Sequence, residues 1–365
     1  LEHRPIPGYG ARSLSLVLYT SGSTGRPKGV MIGARSFADV GDAFTDIFGL
    51  RADDNFFLPM PLAHAIGALT ALGIATHTGC AITLVDRFSP TAFWRQVIEA
   101  GATTTILFPA HLNLLLEVDD GTPAAGEHPL RLAITHAYLK RFRERFGVPL
   151  ATVWGMTETG AICTGSEPGY EGERGESYVG LPMRGAEVAV FDEAFARLPA
   201  GSTGEICLRH RSVMLGYLDQ PEETAATLVD GWVRSGDRGT VDEAGRVLFV
   251  GRFKNVIKRS GENVSAEEVE LALARHPDVS ECAVFGVADA IRAEEVAAVV
   301  SLRPGSAPSP EAIRDSCRDA LVRWKLPRYL VLSEEPLPRL PNGKIDRVVL
   351  GERFLPASAW DAERG

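Results

Sequence analysis

The sequence predicts a large domain of α/β and β structure, followed by a small α+β domain at the carboxyl-terminal end. First, strand-like apolar runs alternate with helical segments between residues 14 and 154, which is typical of a parallel α/β layer. Second, short apolar runs alternate with turns over residues 178–250, which indicates a β-rich region. Third, a capped helix and further strand-like runs follow Gly251.

The elements of the large domain follow from spacing and from the residues that end them. Residues 14–19 predict a buried strand that leads directly into a loop rich in glycine and hydroxyl groups. Gly147 and Pro149 end the last of the helices predicted in this domain. Helices are predicted over residues 37–48, 91–100 and 138–146, and strands over residues 81–85, 104–108, 187–191, 205–208 and 246–250.

The small domain begins with a capping box. Ser265 and Glu268 have the spacing in which each side chain bonds the backbone N–H of the other, and the helix that follows should bury Val269, Ala272 and Leu273. Strands are predicted over residues 280–287 and 296–302, and Ser309-Pro310 begins the last clear helix.

Length and composition limit the class of protein. The 365 residues suffice for two or three compact units, and we place a large domain at residues 1–251, a hinge at 252–254 and a small domain at 255–365.

Charge and hydropathy exclude two classes of protein. The net charge of −9 argues against a nucleic-acid-binding protein. No apolar run approaches the roughly 18 residues of a membrane span, and the first 20 residues do not resemble a secretory signal. We therefore expect a cytoplasmic protein without a membrane span.

Cysteine and histidine spacing does not predict a metal site. The five cysteines are scattered without a CxxC pair, so we expect reduced, mostly buried thiols. The eight histidines show neither HxH nor HxxxH spacing, so no zinc site held by protein ligands is expected.

The strongest motif is the loop that follows the first strand. Glycines that expose backbone N–H groups, several hydroxyls and one ammonium suit a polyphosphate ligand. It is not a Walker A loop, because Arg26 follows Gly25. The alternative is a surface turn, but a turn does not require four hydroxyls and a lysine in this order. The candidate phosphate-binding residues are Thr20, Ser21, Gly22, Ser23, Thr24, Gly25 and Lys28.

This loop closely resembles the phosphate loop of the adenylate-forming superfamily, which contains acyl-CoA synthetases, luciferases and the adenylation domains of peptide synthetases. The resemblance continues in order along nearly all of the chain, and it implies the adenylate-forming fold. The string at residues 257–265 is closer to acyl-CoA ligases than to peptide-synthetase domains. The later matching motifs are Trp154-Gly-Met-Thr-Glu158, Ser235-Gly-Asp237, Gly251-Arg252-Phe-Lys254, Lys258-Arg-Ser-Gly261 and Pro341-Asn-Gly-Lys344.

The resemblance assigns roles to the motif that ends at Glu158. Trp154 and Gly155 would border adenine and substrate, Thr157 would contact phosphate, and Glu158 would hold Mg²⁺. Independently of the family, a carboxylate that follows a tight glycine loop is a reasonable Mg²⁺ ligand.

The remaining motifs lie towards the carboxyl-terminal end. The resemblance implies that Asp237 binds both ribose hydroxyls, that Arg252 contacts ribose and phosphate, and that Lys254 is the hinge. It also implies that Lys258 and Gly261 belong to the loop that faces the site during thiol attack. The lysine that drives adenylation would be Lys344.

The acyl pocket is predicted around His64, which matches a family position beside the acyl group. The alternative for His64 is an ordinary packed histidine. Ala65, Ile66, Gly67 and Trp154 are the other candidate lining residues, and their apolar character favours an apolar acid over a charged one. His77, His111 and His136 are given no role.

Two departures from the family pattern stand out. The family has a long segment before the phosphate loop, whereas here the chain starts at Leu1 and only nineteen residues precede Thr20, so we expect an N-terminally incomplete fold. The strand that ends at Thr135 should lead into a glycine-rich loop but continues directly to His136. Either this loop is deleted, or its flexible residues are missing from the sequence.

The resemblance implies an AMP-forming acid–thiol ligase that uses ATP, Mg²⁺ and coenzyme A and acts on a small-molecule carboxylic acid. Two alternatives stay open at this point. One is an enzyme with another acceptor, such as the phosphopantetheine of a carrier protein or an amine. The other is a nucleotide-binding remnant without activity.

Overall fold

A computed structural model describes residues 10, 13–20, 28–118, 121–160, 162–167, 170–175, 177–260, 262–289, 291–339, 345–354 and 356–364. The chain divides into two compact units, the first formed by Leu1–Ser235 with Gly239–Phe249 and the second by Gly236–Arg238 with Val250–Gly365. The sequence-based boundary assigned residues 236–238 to the large domain. They group with the second unit, where Asp237 pairs with Arg252.

The strands and helices are numbered in chain order. The strands are β1 (Leu14–Thr20), β2 (Lys28–Gly33), β3 (Asn55–Leu58), β4 (Ala81–Leu84), β5 (Thr104–Ile106), β6 (Leu132–Thr135), β7 (Leu150–Trp154), β8 (Thr164–Gly165), β9 (Tyr178–Pro182), β10 (Glu187–Phe191), β11 (Thr203–Arg209), β12 (Gly216–Tyr217), β13 (Leu228–Val229), β14 (Trp232–Val241), β15 (Val247–Arg252), β16 (Val256–Arg259), β17 (Glu262–Ser265), β18 (Val279–Asp289), β19 (Ala293–Leu302), β20 (Tyr329–Ser333) and β21 (Trp360–Asp361). The α-helices are α1 (Arg35–Phe48), α2 (Ala71–Thr78), α3 (Pro90–Ala100), α4 (Pro109–Leu116), α5 (Lys140–Phe146), α6 (Pro221–Thr227), α7 (Ala266–Leu273), α8 (Pro310–Asp315) and α9 (Arg347–Arg353). A π-helical turn at Ile66–Thr70 precedes α2, and 3₁₀ turns lie at Thr157–Thr159, Phe253–Asn255, Arg323–Lys325 and Pro356–Ser358.

A long sheet forms the centre of the first unit. Its order is β10-β11-β14-β15-β9-β8-β7-β6-β5-β3-β4, and β13 pairs with β14. The five strands from β4 to β7 are parallel, whereas the pairs from β7 to β9 and between β10 and β11 are antiparallel. The predicted combination of an α/β layer with a β-rich region is therefore confirmed.

Helices cover both faces of the parallel strands. Phe56 and Phe57, consecutive residues of β3, lie in different apolar clusters because successive side chains of a strand point to opposite faces. The cluster that contains Phe56 includes Phe44 of α1, and the cluster that contains Phe57 includes Trp94 of α3 and Phe142 of α5. Burial on both faces explains why the inner strands β3, β6 and β7 are predominantly apolar.

The first strand differs from its prediction. It belongs to a separate sheet of order β1-β2-β12, in which it is antiparallel to β2. Of its residues only Leu18 is buried, while Tyr19 is 66% exposed, so the prediction of a buried strand was wrong. The reason is that β1 lies at the edge of this small sheet.

The second unit is an α+β fold, as predicted. Its sheet has the order β17-β16-β19-β20-β21, and β18 pairs with β19. The Ser265 hydroxyl accepts the backbone N–H of Glu268 at the start of α7, and the helix buries Val269, Ala272 and Leu273, which confirms that prediction. The helix that Ser309 opens is not the last one, because α9 follows it.

All five cysteines are buried and none forms a disulfide. Burial raises the pKa of each thiol, and for Cys163 and Cys207 the pKa rises to about 12. These thiols are protonated at neutral pH and therefore inert. In the described ranges, no helix is long and apolar enough to cross a membrane.

The buried Asp54 carboxylate joins the segments that precede the parallel strands β3, β5 and β6. Its carboxylate accepts hydrogen bonds from Thr103 at 2.6 Å, from the Arg131 Nε at 2.8 Å and from the backbone N–H of Arg51 at 2.8 Å. Burial alone would raise the pKa of this carboxyl group. The hydrogen bonds outweigh burial and lower the pKa from 3.8 to about 2.

We expect Asp54→Asn to lower the free energy of unfolding by about 2 kcal/mol at pH 7, because it removes charge-assisted hydrogen bonds from a buried site.

The stabilisation by Asp54 should depend on pH. A carboxylate whose pKa is depressed by folding stabilises the fold above its unfolded pKa. This contribution is lost as the pH falls from about 4 to about 2. In urea unfolding, the gap between wild type and variant should therefore narrow over that interval. Asp53→Asn is the matched control, since the Asp53 side chain is 76% exposed. A gap that is constant with pH would contradict the assignment.

Candidate active site

The candidate site lies at the carboxyl edge of the parallel strands. Parallel strands end at a common edge, where open α/β sheets bind their ligands. His64 follows β3, Phe108 follows β5, His136 follows β6, and the segment 154–158 ends and follows β7. The topology therefore brings together chain segments that lie far apart in the sequence.

Glu158 is held in place by the turn that carries it. It lies in the 3₁₀ turn Thr157–Thr159, which ends at Gly160 with a left-handed φ of 82°. A Cβ atom at Gly160 would lie 2.9 Å from the carbonyl oxygen of Ser212, so only glycine fits there. The Glu158 carbonyl accepts the backbone N–H of Met214 at 2.8 Å. Neighbouring backbone thus fixes Glu158, which is 8% exposed.

A buried contact links Glu158 to the predicted phosphate loop. The Tyr217 hydroxyl donates a hydrogen bond of 2.9 Å to Oε1 of Glu158. The Lys28 ammonium lies 5.0 Å from the centre of the Tyr217 ring, and it also pairs with Glu223 of α6. One aromatic ring therefore contacts the functional groups of two sequence motifs.

Sequence reasoning missed Tyr217. No motif contains it, and its position depends on the pairing of β12 with β2, which sets Tyr217 opposite Val30. Burial, together with the neighbouring Glu158 carboxylate, raises the pKa of Tyr217 above its ordinary value. The hydroxyl therefore remains a hydrogen-bond donor at physiological pH.

The strands on either side of the predicted phosphate loop, β1 and β2, are antiparallel. Thr20 and Lys28 are the last paired residues of β1 and β2 in the described part of the chain. The Lys28 side chain is largely buried, with 12% exposed. The other candidate phosphate contacts, Ser21, Gly22, Ser23, Thr24 and Gly25, lie outside the described residues.

Two histidines flank one aromatic ring at the same edge. The Phe108 and His136 rings are stacked, with centres 5.3 Å apart and planes at 17°. His64 approaches Phe108 edge-on at 5.9 Å, and its Nδ1 accepts the backbone N–H of Ile66 at 3.2 Å. His136 was given no role and Phe108 was not considered. The signal available in the sequence was their position at a strand's end: Phe108 is the last residue of a predicted strand, and His136 directly follows the strand that ends at Thr135.

The other predicted pocket residues are mostly core residues. Ala65 and Ile66 are buried in the apolar cluster of α1 and α2. A Cβ atom at Gly67 would lie 2.1 Å from the Pro61 carbonyl oxygen, so this glycine permits a close backbone approach. Trp154 is 4% exposed and packs in an apolar cluster of the β-rich region. Of the predicted acyl-pocket residues, only His64 is half-buried rather than buried.

Gly155 and Thr157, the predicted neighbours of adenine and phosphate, are both half-buried in the segment that connects Trp154 to Glu158. Their backbone follows directly from β7, so they lie at the same edge as Glu158.

In the second unit the two predicted ribose residues contact each other. Nε of Arg252 lies 3.1 Å from Oδ1 of Asp237, and Asp237 is 3% exposed. Arg252 immediately precedes the 3₁₀ turn Phe253–Asn255, which contains the predicted hinge residue Lys254. The carboxylate of Glu267 accepts from the Asn255 side chain and fixes the far end of this turn.

The predicted thiol-transfer residue Lys258 lies on β16 with an exposed side chain. Its backbone N–H donates to Glu294 at 2.6 Å. Gly261 and the predicted adenylation residue Lys344 lie outside the described residues.

Comparison with known proteins identifies the family. The model of the AMP-binding enzyme family matches residues 3–218, and the model of the AMP-binding enzyme C-terminal domain matches residues 268–344. The chain belongs to the AMP-binding enzyme family. This AMP-binding enzyme thus has the fold class that its motifs predicted, and the recognition of the superfamily is confirmed.

Individual relatives support the same placement. The AMP-binding enzyme is 36% identical over 340 residues to a crotonobetaine/carnitine–CoA ligase of Salmonella arizonae, a match covering 90% of this chain and 65% of the relative. The crystal structure of ATP-bound MatB from Rhodopseudomonas palustris is similar with a TM-score of 0.83 and 29% identity, over 94% of this chain and 68% of that one. An amide bond synthetase of Marinactinospora thermotolerans reaches a TM-score of 0.84 and 30% identity, over 97% of this chain and 72% of that one. The chain spans about two thirds of the length of these proteins.

Proposed function

We propose that this AMP-binding enzyme uses ATP to activate a carboxylic acid as an acyl-adenylate and then transfers the acyl group to coenzyme A. The proposal rests on one observation: Lys28 lies over the Tyr217 ring, and Glu158 accepts a hydrogen bond from the hydroxyl of the same residue. Through Tyr217 a cation of the predicted phosphate loop is linked to a buried carboxylate that follows the parallel strand β7, at the edge where α/β sheets bind ligands. The similarity to CoA ligases supports the reaction class.

In the first half-reaction an oxygen of the substrate carboxylate attacks the α-phosphorus of ATP. The new bond is O–P, and the leaving pyrophosphate takes the electron pair of the bond that breaks. Negative charge grows on the phosphoryl oxygens and on the leaving group. Lys28 in the first unit and Lys344 in the second would offset it, and preorganised charge contacts are the largest catalytic term in many enzymes.

Glu158 is the residue that would hold Mg²⁺. The metal is typically bound by one or two carboxylates together with substrate phosphates and water. Across the described residues, no group of three or more His, Cys, Asp or Glu side chains could hold a metal ion by itself. A single fixed carboxylate beside a predicted phosphate loop therefore fits Mg²⁺ bound jointly with nucleotide. When bound there, the ion neutralises charge on the phosphates.

Tyr217 would act on Glu158 rather than on the substrate. Its hydroxyl occupies one position on Oε1 and so orients the carboxylate. Because the raised pKa keeps this proton in place, the orientation is independent of pH over the neutral range.

Asp237 and Arg252 would bind the nucleotide from the second unit, with the carboxylate accepting both ribose hydroxyls. Their mutual contact holds the carboxylate ready, and a charged acceptor forms the stronger kind of hydrogen bond. Gly155 and Thr157 would border adenine and phosphate, as the family motif implies.

The second half-reaction needs an acceptor. We infer that the thiol of coenzyme A attacks the acyl carbonyl carbon and that AMP leaves, with Lys258 and Gly261 facing the site. One observation favours an amine as a second candidate, namely the similarity to an amide bond synthetase. A carrier-protein thiol is the third acceptor to compare.

The acid is proposed to be apolar, with His64, Phe108 and His136 forming one side of its pocket. Acid-dependent exchange of pyrophosphate into ATP, measured over a panel of aliphatic, aromatic and dicarboxylic acids, tests the first half-reaction. Product analysis with coenzyme A, a phosphopantetheinyl carrier protein and an amine then distinguishes the acceptors. AMP binding without exchange for any acid would instead indicate a nucleotide-binding remnant.

Two variants should separate metal binding from ribose binding. We expect Glu158→Gln to lower pyrophosphate exchange about thirtyfold with little change in AMP affinity, because Mg²⁺ matters most while pyrophosphate leaves. Asp237→Ala should weaken AMP binding about tenfold or more, because it removes hydrogen bonds to a charged group. Calorimetry with AMP and exchange assays measure the two effects. Glu144→Gln on α5 is the control, since its side chain is 63% exposed.

Unchanged AMP affinity in the Asp237 variant would contradict the ribose role. Equal losses of AMP affinity and exchange in the Glu158 variant would contradict the metal role.

A further inference from the structure

The Lys28 ammonium has a second charged neighbour, the carboxylate of Glu223 on α6, which lies outside every sequence motif. This carboxylate accepts a hydrogen bond from Nζ of Lys28, and the centre of the Tyr217 ring lies 5.0 Å from the same nitrogen. The Lys28 side chain is 12% exposed, whereas the Glu223 side chain is 43% exposed. The ammonium is therefore enclosed between a carboxylate and an aromatic ring, although the carboxylate itself reaches solvent.

The position of Glu223 is set by the residue that follows it. The backbone N–H of Tyr217 donates to Oγ1 of Thr224 at 2.8 Å, and this hydroxyl donates to the carbonyl of Gln220 at 2.8 Å. A Cβ atom at Gly216 would lie 2.9 Å from Cγ2 of Thr224, so β12 and α6 are in close contact. Because Glu223 and Thr224 are adjacent in one helix, the backbone that carries the carboxylate is fixed relative to Tyr217.

The backbone of Lys28 is fixed as well. Lys28 is the first residue of β2, which pairs with β1 and with β12. The carbonyl of Gly29 accepts the backbone N–H of Leu218 at 2.8 Å, directly beside Tyr217 in the chain. The Tyr217 side chain is held by the bond of 2.9 Å from its hydroxyl to Glu158. The strand that carries the ammonium and the two groups that contact it thus belong to one connected network.

The ammonium can still bind an anion in this arrangement. A lysine ammonium has three N–H donors, and the bond to Glu223 uses one of them. The attraction to the ring face is a second, weaker contact. Since Glu223 is partly exposed, water and dissolved ions screen its negative charge, which weakens but does not cancel the attraction of Lys28 for phosphate.

We propose that Glu223 is a positioning residue, which orders the Lys28 side chain against the Tyr217 ring before the nucleotide binds. This role rests on the proposed function, in which Lys28 offsets charge on the phosphoryl group. A lysine side chain without a partner samples many rotamers, and ordering it opposes binding and catalysis. With Glu223 in place, the ammonium is already oriented when charge develops in the transition state.

A double-mutant cycle on the full chain tests this role, with Glu223→Gln, Lys28→Met and the double variant assayed by acid-dependent pyrophosphate exchange. We expect Glu223→Gln to lower kcat about tenfold, the effect of a misplaced charged group. In the Lys28→Met background the same substitution should change kcat by less than about twofold, because Glu223 acts through the ammonium. Glu222→Gln is the matched control, since Glu222 is adjacent in α6 and its side chain is exposed.

A second measurement does not depend on turnover. Labelling of amines with acetic anhydride, followed by peptide mapping, reports how accessible and how reactive the Lys28 ammonium is in the free protein. Glu223→Gln should speed the labelling of Lys28 about threefold, the effect of removing a partly screened ion pair. Glu222→Gln should leave the labelling rate unchanged.

Two results would overturn the proposal in variants that thermal melts show to be folded. One is a change in kcat on Glu223→Gln that is the same in both backgrounds, including no change in either. The other is an unchanged rate of Lys28 labelling in Glu223→Gln, which would reduce the contact to an ordinary surface ion pair. A wild-type protein without exchange for any acid contradicts the proposed function and the catalytic part of this role, whereas the labelling result decides separately whether Glu223 holds the lysine.

Discussion

Lys344→Ala should lose about a hundredfold or more of acid-dependent pyrophosphate exchange, equivalent to about 3 kcal/mol of transition-state stabilisation. The reason is that one ammonium would be removed from the phosphoryl group as charge develops on it. Thioester formation from supplied acyl-adenylate should be spared, because the phosphoryl step has then already taken place. Both rates can be measured on one preparation, by isotope exchange and by thioester detection.

The contacts on either side of this lysine in the sequence should keep the fold intact in the variant. On the preceding side the Glu281 carboxylate accepts the backbone N–H of Leu337 at 2.8 Å, and on the following side Arg347 lies 2.7 Å from Glu270. These contacts do not involve residue 344, so the fold should persist in the variant. Lys140→Ala, at a side chain that is 79% exposed, is the control. Pyrophosphate exchange by Lys344→Ala at a rate within about tenfold of wild type would contradict the adenylation role of Lys344.

Lys254→Pro should keep most pyrophosphate exchange and lose at least about tenfold of thioester formation. The family resemblance implies that Lys344 serves adenylation and Lys258 thiol transfer, and we propose that the two segments act in turn. A short turn that absorbs a change in φ and ψ is the usual solution. Proline at 254 would restrict Phe253, which now lies in the 3₁₀ turn, and would remove a backbone N–H.

Lys254→Ala separates backbone from side chain. We expect it to retain both half-reactions, since alanine leaves the turn free to change. Single-turnover assays of adenylate formation and of thiol transfer give the two rates independently. Equal losses in both half-reactions of the proline variant, or a loss in neither, would favour an ordinary solvated lysine over a hinge.

Local signals in the sequence predicted local structure well. The helix that Ser265 caps was found from the spacing of a capping box, and its buried face from the positions of Val269 and Leu273. The family motifs likewise identified Asp237 and Arg252, which the fold brings within 3.1 Å. In each case the information lies in a few consecutive residues.

Contacts between distant segments could not be predicted in this way. Tyr217 reaches Glu158 because β12 pairs with β2, and Phe108 reaches His136 because β5 pairs with β6. Tyr217 belongs to no motif, so its contact with Glu158 could be found only from the strand order. The exposure of β1 was missed for a related reason, since an apolar run does not reveal whether its strand lies at a sheet edge.

The protonated state of the cysteines has a consequence for chemical selectivity. An acyl-adenylate is an electrophile that any thiolate can intercept, so a reactive cysteine in the enzyme would compete with the intended acceptor. Each thiol here is buried, and the pKa of Cys163 and of Cys207 is raised to about 12. The proposed intermediate would therefore meet no competing thiolate from these five cysteines. The same burial protects the enzyme from forming mixed disulfides with a small thiol acceptor.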